Sequence, residues 1–329
     1  MKRNFCFKSM LLLLCLCTVV NANAQRPVWV IGHAANSHAI LQNAMNDGAN
    51  GVEIDVQTYD GKFWNVSHDY RLSPQELEKP GWKKQGYVSL ETYLNFPELK
   101  NDNFCFLYLD IKHSDKGYIK ELVEFVHKIV GVNTPYAIVY AVYKNEQLDR
   151  IVYDEKKKEN VPLLTWLKEN LAPNEGINVG WETPPSNTSE YDKNLFVRMN
   201  FPPAKHLFTY GYWNSTVITR GWKRVGYLKT AREYRSQGKF CSRVGYWTAL
   251  KSWDAWWFLD KSAKNNNKTD CDMVMVECRN DVKVPAWSDK KALQKLIKEY
   301  FRTDGKYYKK YNNGKMRLAG RADKFWVMP

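Results

Sequence analysis

The stretch Gly51-Val52-Glu53-Ile54-Asp55-Val56-Gln57-Thr58 decides how the rest of the chain is read. Its β-branched and apolar residues predict a strand, yet two carboxylates interrupt them two positions apart. Side chains two apart in a strand share a face, so Glu53 and Asp55 point the same way. An unpaired carboxylate embedded in an apolar strand is costly, so this pair needs a cation. The carboxyl end of a strand in an α/β barrel answers that need, because several loops converge there on one site.

The same pattern recurs on both sides. Pro27 to Ala34 reads as a strand in which Gly32-His33 marks the end, and Ser37 to Asp47 reads as an amphipathic helix stopping near Gly48. Downstream, Asp60-Gly61 predicts a turn into Lys62 to Ser67, followed by His68. Phe104 to Lys112 is a strand ending Leu107-Tyr108-Leu109-Asp110-Ile111-Lys112, with Asp110 and Lys112 on one face. A helix from about Gly117 to Val130 leads to a strand from Tyr136 to Tyr143, and a charged helix is expected from Asn145 to Lys158. Later strands are Ile177 to Trp181, Leu207 to Tyr212, Arg243 to Thr248 and Asp272 to Cys278. Helices near Val225 to Ser236, Trp253 to Lys264 and Lys290 to Phe301 separate or follow them, while Leu171 to Lys205 is Pro- and Asn-rich and yields no clear elements. About eight strand–helix units result, the number that closes a TIM (β/α)8 barrel.

Bulk properties agree with one domain. Lys2, Arg3 and Lys8 precede an apolar run from Met10 to Val20, and Ala22-Asn23-Ala24 follows with small residues. That pattern predicts a signal peptide over 1–24, leaving residues 25–329 as one barrel domain of 305 residues. No later stretch is long and apolar enough to be a transmembrane helix. The formal charge of +14 becomes +11 once Lys2, Arg3 and Lys8 are removed. A basic surface attracts polyanions and anionic lipid, but no nucleic-acid motif is present, so nucleic acid is not expected as a partner. No obligate protein partner is evident. Cys105, Cys241, Cys271 and Cys278 remain after the leader, and Cys241 with Cys271 is the preferred disulfide.

The chemistry-bearing residues fall at three successive strand ends. Glu53, Asp55 and Asp110 form an oxygen-only set, which favours magnesium or calcium over zinc. His33 and His68 could flank a phosphate, one attacking or removing a proton and the other protonating the leaving oxygen. His38, His113, His127 and His206 read as ordinary loop or core histidines. Among the aromatics of the second half, Trp213, Trp222, Trp247, Trp253, Trp256 and Trp257, the last two suit helix-to-barrel packing. Trp247, at a strand end, suits a pocket wall.

These residues carry a family resemblance. Gly32-His33-Ala34-Ala35-Asn36, Gly48-Ala49-Asn50, Glu53-Ile54-Asp55-Val56 and His68 resemble the N-terminal signature of the glycerophosphodiester phosphodiesterase superfamily. His33 with Asn36, and Asp110 in Leu-Asp-Ile-Lys, are similar to its sphingomyelinase D/phospholipase D branch. Tyr246-Trp247-Thr248 resembles a pocket-lining strand-seven motif, and Phe325-Trp326-Val327 a short tail that plugs the barrel bottom. The resemblance implies one Mg²⁺ on Glu53, Asp55 and Asp110, and His33 and His68 as the catalytic pair. It implies Lys112, Asn36, Tyr246 and Trp247 toward the substrate, a phospholipid or sphingolipid at a membrane surface. Head-group release would leave a cyclic phosphate. Departures fall in the pocket: Gly245 replaces an aromatic, Leu250 an acid and Glu277 an Asn, and Tyr70 to Pro80 contains no Cys. His68-Asp69 and Asp60-Gly61 are closer to the glycerophosphodiesterases, whose hydrolysis of deacylated phospholipids is the alternative activity. A non-catalytic head-group-binding barrel is the third reading.

Overall fold

A computed structural model of the chain describes residues 25–112, 118–142, 148–179, 184–211, 217–260, 270–279, 289 and 291–327, with the side chains of 217–225 left aside. The strands, in chain order, are β1 (Arg26–His33), β2 (Gly51–Thr58), β3 (Trp64–Val66), β4 (Val88–Ser89), β5 (Phe106–Ile111) and β6 (Ala137–Val142). They continue with β7 (Ile151–Asp154), β8 (Glu159–Pro162), β9 (Glu175–Val179), β10 (His206–Gly211), β11 (Arg243–Ala249), β12 (Met273–Glu277) and β13 (Met316–Leu318). Eight of them pair in parallel in the order β1, β2, β5, β6, β9, β10, β11, β12, and β12 returns to β1 to close the barrel. Helices cover the outside, and residues such as Ile54, Leu107, Ile138, Phe208 and Val274 form the buried layer between strands and helices. The expected TIM barrel is the fold.

The period-two alternation sorts each strand into an outward apolar face and an inward face. Inside, Trp29, Phe106, Tyr108, Val139, Leu207, Met273 and Met275 form a second, central cluster. Asn178 ties this interior together: its Oδ1 accepts from Tyr108 OH at 2.5 Å and Thr209 Oγ1 at 2.9 Å, while its Nδ2 donates to Leu207 O at 2.6 Å.

The tail closes the floor, at the amino ends of the strands. β13 pairs in parallel with the start of β1, Arg26 opposite Met316. Buried Asn50 donates to Val28 O and Ala319 O and accepts from Val30 N–H, locking tail to barrel. Phe325 then meets Trp29 and Phe106 edge-on at 4.9 and 4.7 Å between ring centroids. Trp326 lies so close to Gly176 that a Cβ there would sit 2.4 Å from its ring.

Three expectations change. The helix from Asn145 to Lys158 is absent from the described part of that span: β7 and β8 form an antiparallel hairpin, and the helix there is Leu163–Asn170. Glu155 to Lys158 are its turn, organised by Asp154 Oδ1, which accepts from the backbone N–H of Lys156 and Lys157. A run of charges at a solvated turn imitates the polar face of a helix. In the unplaced stretch, Asn187 and Asn194 cap the short helices Thr188–Lys193 and Leu195–Arg198. The third concerns sulfur: Cys105, Cys241, Cys271 and Cys278 are buried thiols, so the Cys241–Cys271 bridge is not formed. Cys241 turns toward the helix layer, its Sγ 3.7 Å from Ala231 O. The leader at 1–24, His113 and Trp213 lie outside the described residues, and no described helix is long and apolar enough to cross a membrane.

Candidate active site

The pairing of β2 with β5 sets Asp55 opposite Asp110 at the mouth of the barrel. Glu53, Asp55 and Asp110 each offer a carboxylate oxygen, and the three oxygens lie within 4.8 Å of one another. Glu53 and Asp55 are buried to 2% and 1% exposure. Local structure aims them. Glu53 Oε2 accepts from Ala34 N–H at 2.6 Å. Asn36 Oδ1 accepts from the backbone N–H of Asp55 at 2.8 Å, and its amide donates back to Asp55 Oδ2. Asn36 thus stands behind Asp55 and fixes that carboxylate, and it is not among the residues that line the cavity described below.

Charge in this cluster is unbalanced. Lys112 Nζ lies 2.7 Å from Asp55 Oδ1 and 2.5 Å from Asp110 Oδ2. One ammonium therefore faces three carboxylates. Burial first, then the charges of Asp55 and Asp110, push the Glu53 pKa well above the ordinary carboxylate range, and Lys112 only partly opposes them. For Asp55, burial also acts upward, but Lys112, Asn36 and His68 outweigh it and hold the pKa below its usual value. Lys112 itself is raised: burial works against its charge, and Asp110, Asp55 and Glu53 more than reverse that. A divalent cation fits this donor set, since it is all oxygen and short of positive charge.

His33 ends β1 directly beside the end of β12, in register with Glu277. Its Nδ1 is 3.4 Å from Glu277 Oε2, and its Nε2 is 3.8 Å from Glu53 Oε2. His68 follows the β2–β3 hairpin, its backbone carbonyl accepting from Gln57 Nε2 at 2.6 Å. Its Nδ1 is 2.5 Å from Asp69 Oδ1, and its ring is largely exposed toward the cavity. The two histidines, Glu53 and Asp110 line one cavity of about 540 Å³.

The lining of that cavity is of two kinds. His33, Glu53, His68, Asp69, Asp110, Lys112 and Arg279 make it charged and titratable, while Tyr108, Ala141, Val142, Trp247 and Met275 add aromatic and apolar surface. Trp247 lies where its position at a strand end predicts. Tyr246 does not: it is 3% exposed and stacks on Phe258 in the helix layer at 3.5 Å. Adjacent residues in a strand face opposite ways, and here Trp247 takes the cavity side while Tyr246 takes the helix side. Arg279 is the residue sequence reasoning passed over. Glu277 and Arg279 share a face by spacing, but nothing local ties them to His33, 244 residues away from Glu277.

Comparison with known proteins bears on this geometry. A family model described as sphingomyelinase D/phospholipase D matches residues 23–263. The chain belongs to that family. Within the sphingomyelinase D/phospholipase D group, a sphingomyelinase D of Paracoccidioides brasiliensis is 31% identical over 91 residues, 28% of this chain and 24% of that protein. A dermonecrotic toxin of Loxosceles gaucho is 49% identical over 35 residues, 11% of this chain and 49% of the toxin sequence. The matches therefore span between a quarter and a half of these relatives' own lengths. Among solved structures, a glycerophosphodiester phosphodiesterase of Thermotoga maritima has a TM-score of 0.45 at 17% identity, over 77% of this chain and 96% of its own. One from Agrobacterium tumefaciens scores 0.46 at 14% identity, over 76% and 95%.

Proposed function

We propose that the chain is an exported, magnesium-dependent phosphodiesterase that releases the head group of a phospholipid- or sphingolipid-like substrate, acting as one barrel domain over residues 25–329. The observation that carries this reading is the mixed lining of the cavity. A phosphodiester with a charged phosphate and an apolar chain needs both acid–base groups and apolar surface. Here His33, His68, Glu53 and Asp110 share one cavity of about 540 Å³ with Tyr108, Val142, Trp247 and Met275. A small deacylated diester has no use for the apolar surface.

Glu53, Asp55 and Asp110 would hold the Mg²⁺, which when bound neutralises phosphate charge. His33 and His68 divide the proton traffic. One takes the proton from the substrate hydroxyl as its oxygen bonds to phosphorus, and the other protonates the head-group oxygen as its bond to phosphorus breaks. If the hydroxyl belongs to the lipid itself, the product is a cyclic phosphate and no water is consumed. Lys112, beside Asp55 and Asp110, adds positive charge next to the phosphate. The hydrogen bond from Gln57 Nε2 to the His68 carbonyl fixes the backbone that carries this ring at the cavity.

³¹P NMR of the protein with Mg²⁺ tests this, using sphingomyelin or lysophosphatidylcholine beside glycerophosphocholine. A cyclic-phosphate signal from lipid, lost in EDTA and in His33→Ala, is the expected result. Turnover of glycerophosphocholine alone would replace this reading with glycerophosphodiester hydrolysis, and silence on all three with folded, metal-loaded protein would remove the enzymatic assignment for these substrates. N-terminal sequencing of protein recovered from the medium should begin near Gln25.

A further inference from the structure

Six large hydrophobic side chains are exposed among the described residues: Tyr59, Tyr70, Val132, Ile151, Tyr153 and Trp253. Five of them follow the carboxyl ends of barrel strands, Tyr59 and Tyr70 after β2, Ile151 and Tyr153 after β6, and Trp253 after β11. Val132, between the helix Ile119–Val130 and β6, belongs to the floor end. Were this apolar surface incidental, the two ends would share it; instead it is gathered around the mouth. The part nearest the site is the best built. Tyr70 follows His68 and Asp69, which line the cavity, and is itself 43% exposed. Its ring meets that of Trp82 at 4.8 Å and that of Tyr87 at 5.8 Å, and Trp82 meets Tyr87 at 5.5 Å. None of the three belongs to either apolar core. They pack on one another at the surface, and a contiguous apolar patch in that position marks an interaction site.

The charges of this loop suit an anionic surface. Trp82 lies in the helix Pro80–Lys84, among Lys79, Lys83 and Lys84. The acids nearby are engaged: Glu76 accepts from the Ser73 N–H and hydroxyl, and Glu78 pairs with Lys83 at 2.6 Å. Lys79 and Lys84, within three residues of Trp82, stay exposed. Trp and Tyr place an apolar body against lipid and a polar edge in water, and lysines beside them are drawn to anionic headgroups. The mouth must also stay open to substrate. A folded protein seated across these loops would close it, whereas a bilayer presents its lipids there. We propose that the mouth face is a docking surface for a bilayer carrying anionic lipid, with Tyr70, Trp82 and Tyr87 as its anchor and Lys79 and Lys84 as its charge. The proposal rests on the reading of the substrate as a membrane lipid, but its test needs no turnover.

Sedimentation with vesicles in EDTA separates docking from catalysis. Wild-type protein should bind vesicles of phosphatidylcholine mixed with phosphatidylglycerol, and should partition about 10-fold less onto phosphatidylcholine alone. Trp82→Ala should lower partitioning onto the mixed vesicles by about 10-fold or more. Lys79→Gln with Lys84→Gln should remove most of the preference for phosphatidylglycerol, and Val132→Asp, at the floor end, should change neither quantity. Acyl chains brominated near the headgroup should quench a component of the tryptophan emission that is missing in Trp82→Phe. The proposal is overturned if the wild type binds no vesicles, ignores phosphatidylglycerol, or binds as well with Trp82→Ala. An equal loss in Val132→Asp overturns it too, as does a dimer that Trp82→Ala dissolves in protein that ignores vesicles. Should Trp82→Ala fail to fold, the quenching difference in Trp82→Phe and the lysine variant decide. A wild type that docks through Trp82 but turns over no lipid with Mg²⁺ would sink the functional reading and leave the docking surface standing.

Discussion

The two ends of this barrel are built from opposite materials. At the mouth, three carboxylates, one ammonium and a histidine crowd together, and burial drives Glu53 against its own charge. At the floor, Trp29, Phe106, Phe325 and Trp326 pack edge to face, with the Arg243 guanidinium 5.7 Å over Trp29. On β1 and β5 the two ends are four residues apart, Trp29 from His33 and Phe106 from Asp110. The lesson is that one strand can hold a destabilising site at its end because its beginning is firmly packed.

If that division is real, changes at the mouth should alter chemistry and spare the fold, and changes at the floor should do the reverse. The largest effect belongs to His33→Ala, expected to lower kcat/KM by about 10³-fold or more while the melting temperature stays within a few degrees. Steady-state assays beside calorimetric melting check this, and a large drop in melting temperature would break the contrast. Phe325→Ala should cost about 3–5 kcal/mol in chemical denaturation, with kcat per folded molecule unchanged. A fall in kcat without lost stability would show that the plug reaches the site.

Smaller changes sharpen the picture. Gly176→Ala should destabilise by roughly 1–3 kcal/mol, because the new Cβ would meet the Trp326 ring and Lys205 O at 2.4 and 2.5 Å. A neutral result in denaturant titration would mean that the tail yields easily. Asp254, in the first turn of the helix Ser252–Leu259 that leaves the mouth end of β11, is 4% exposed, and burial pushes its pKa up to about 6. A carboxyl raised in the folded state binds its proton more tightly there than in the unfolded chain. Its favourable contribution is full below the unfolded value near 3.8 and is lost as pH rises to about 6. Asp254→Asn should therefore stabilise the protein at pH 7 by on the order of 1–2 kcal/mol and flatten the stability profile between those values. An unchanged profile in melts across that range would remove Asp254 from the account.

What could be read from the sequence follows from how local each signal is. The eight barrel strands are legible because each is a short apolar run between turns, and the carboxylates are legible because charge in such a run is conspicuous. The hairpin over 151–162 was hidden, since its turn carries the charges that mimic a helix face. Tyr246 was misplaced because a motif reading treats neighbours alike, whereas a strand sends them to opposite layers. The meeting of Glu277 with His33 exists only because β12 closes onto β1, a pairing that no local window contains.

That closure also governs how the chain must be made. β1 finds its partners β12 and β13 only after about 240 to 290 further residues, as with Arg26 and Met316. During synthesis, then, the first strand waits with an unsatisfied edge, the kind of surface that recruits other chains. The barrel is assembled from its seam last, so a slow or interrupted ribosome exposes β1 far longer than any strand in the middle.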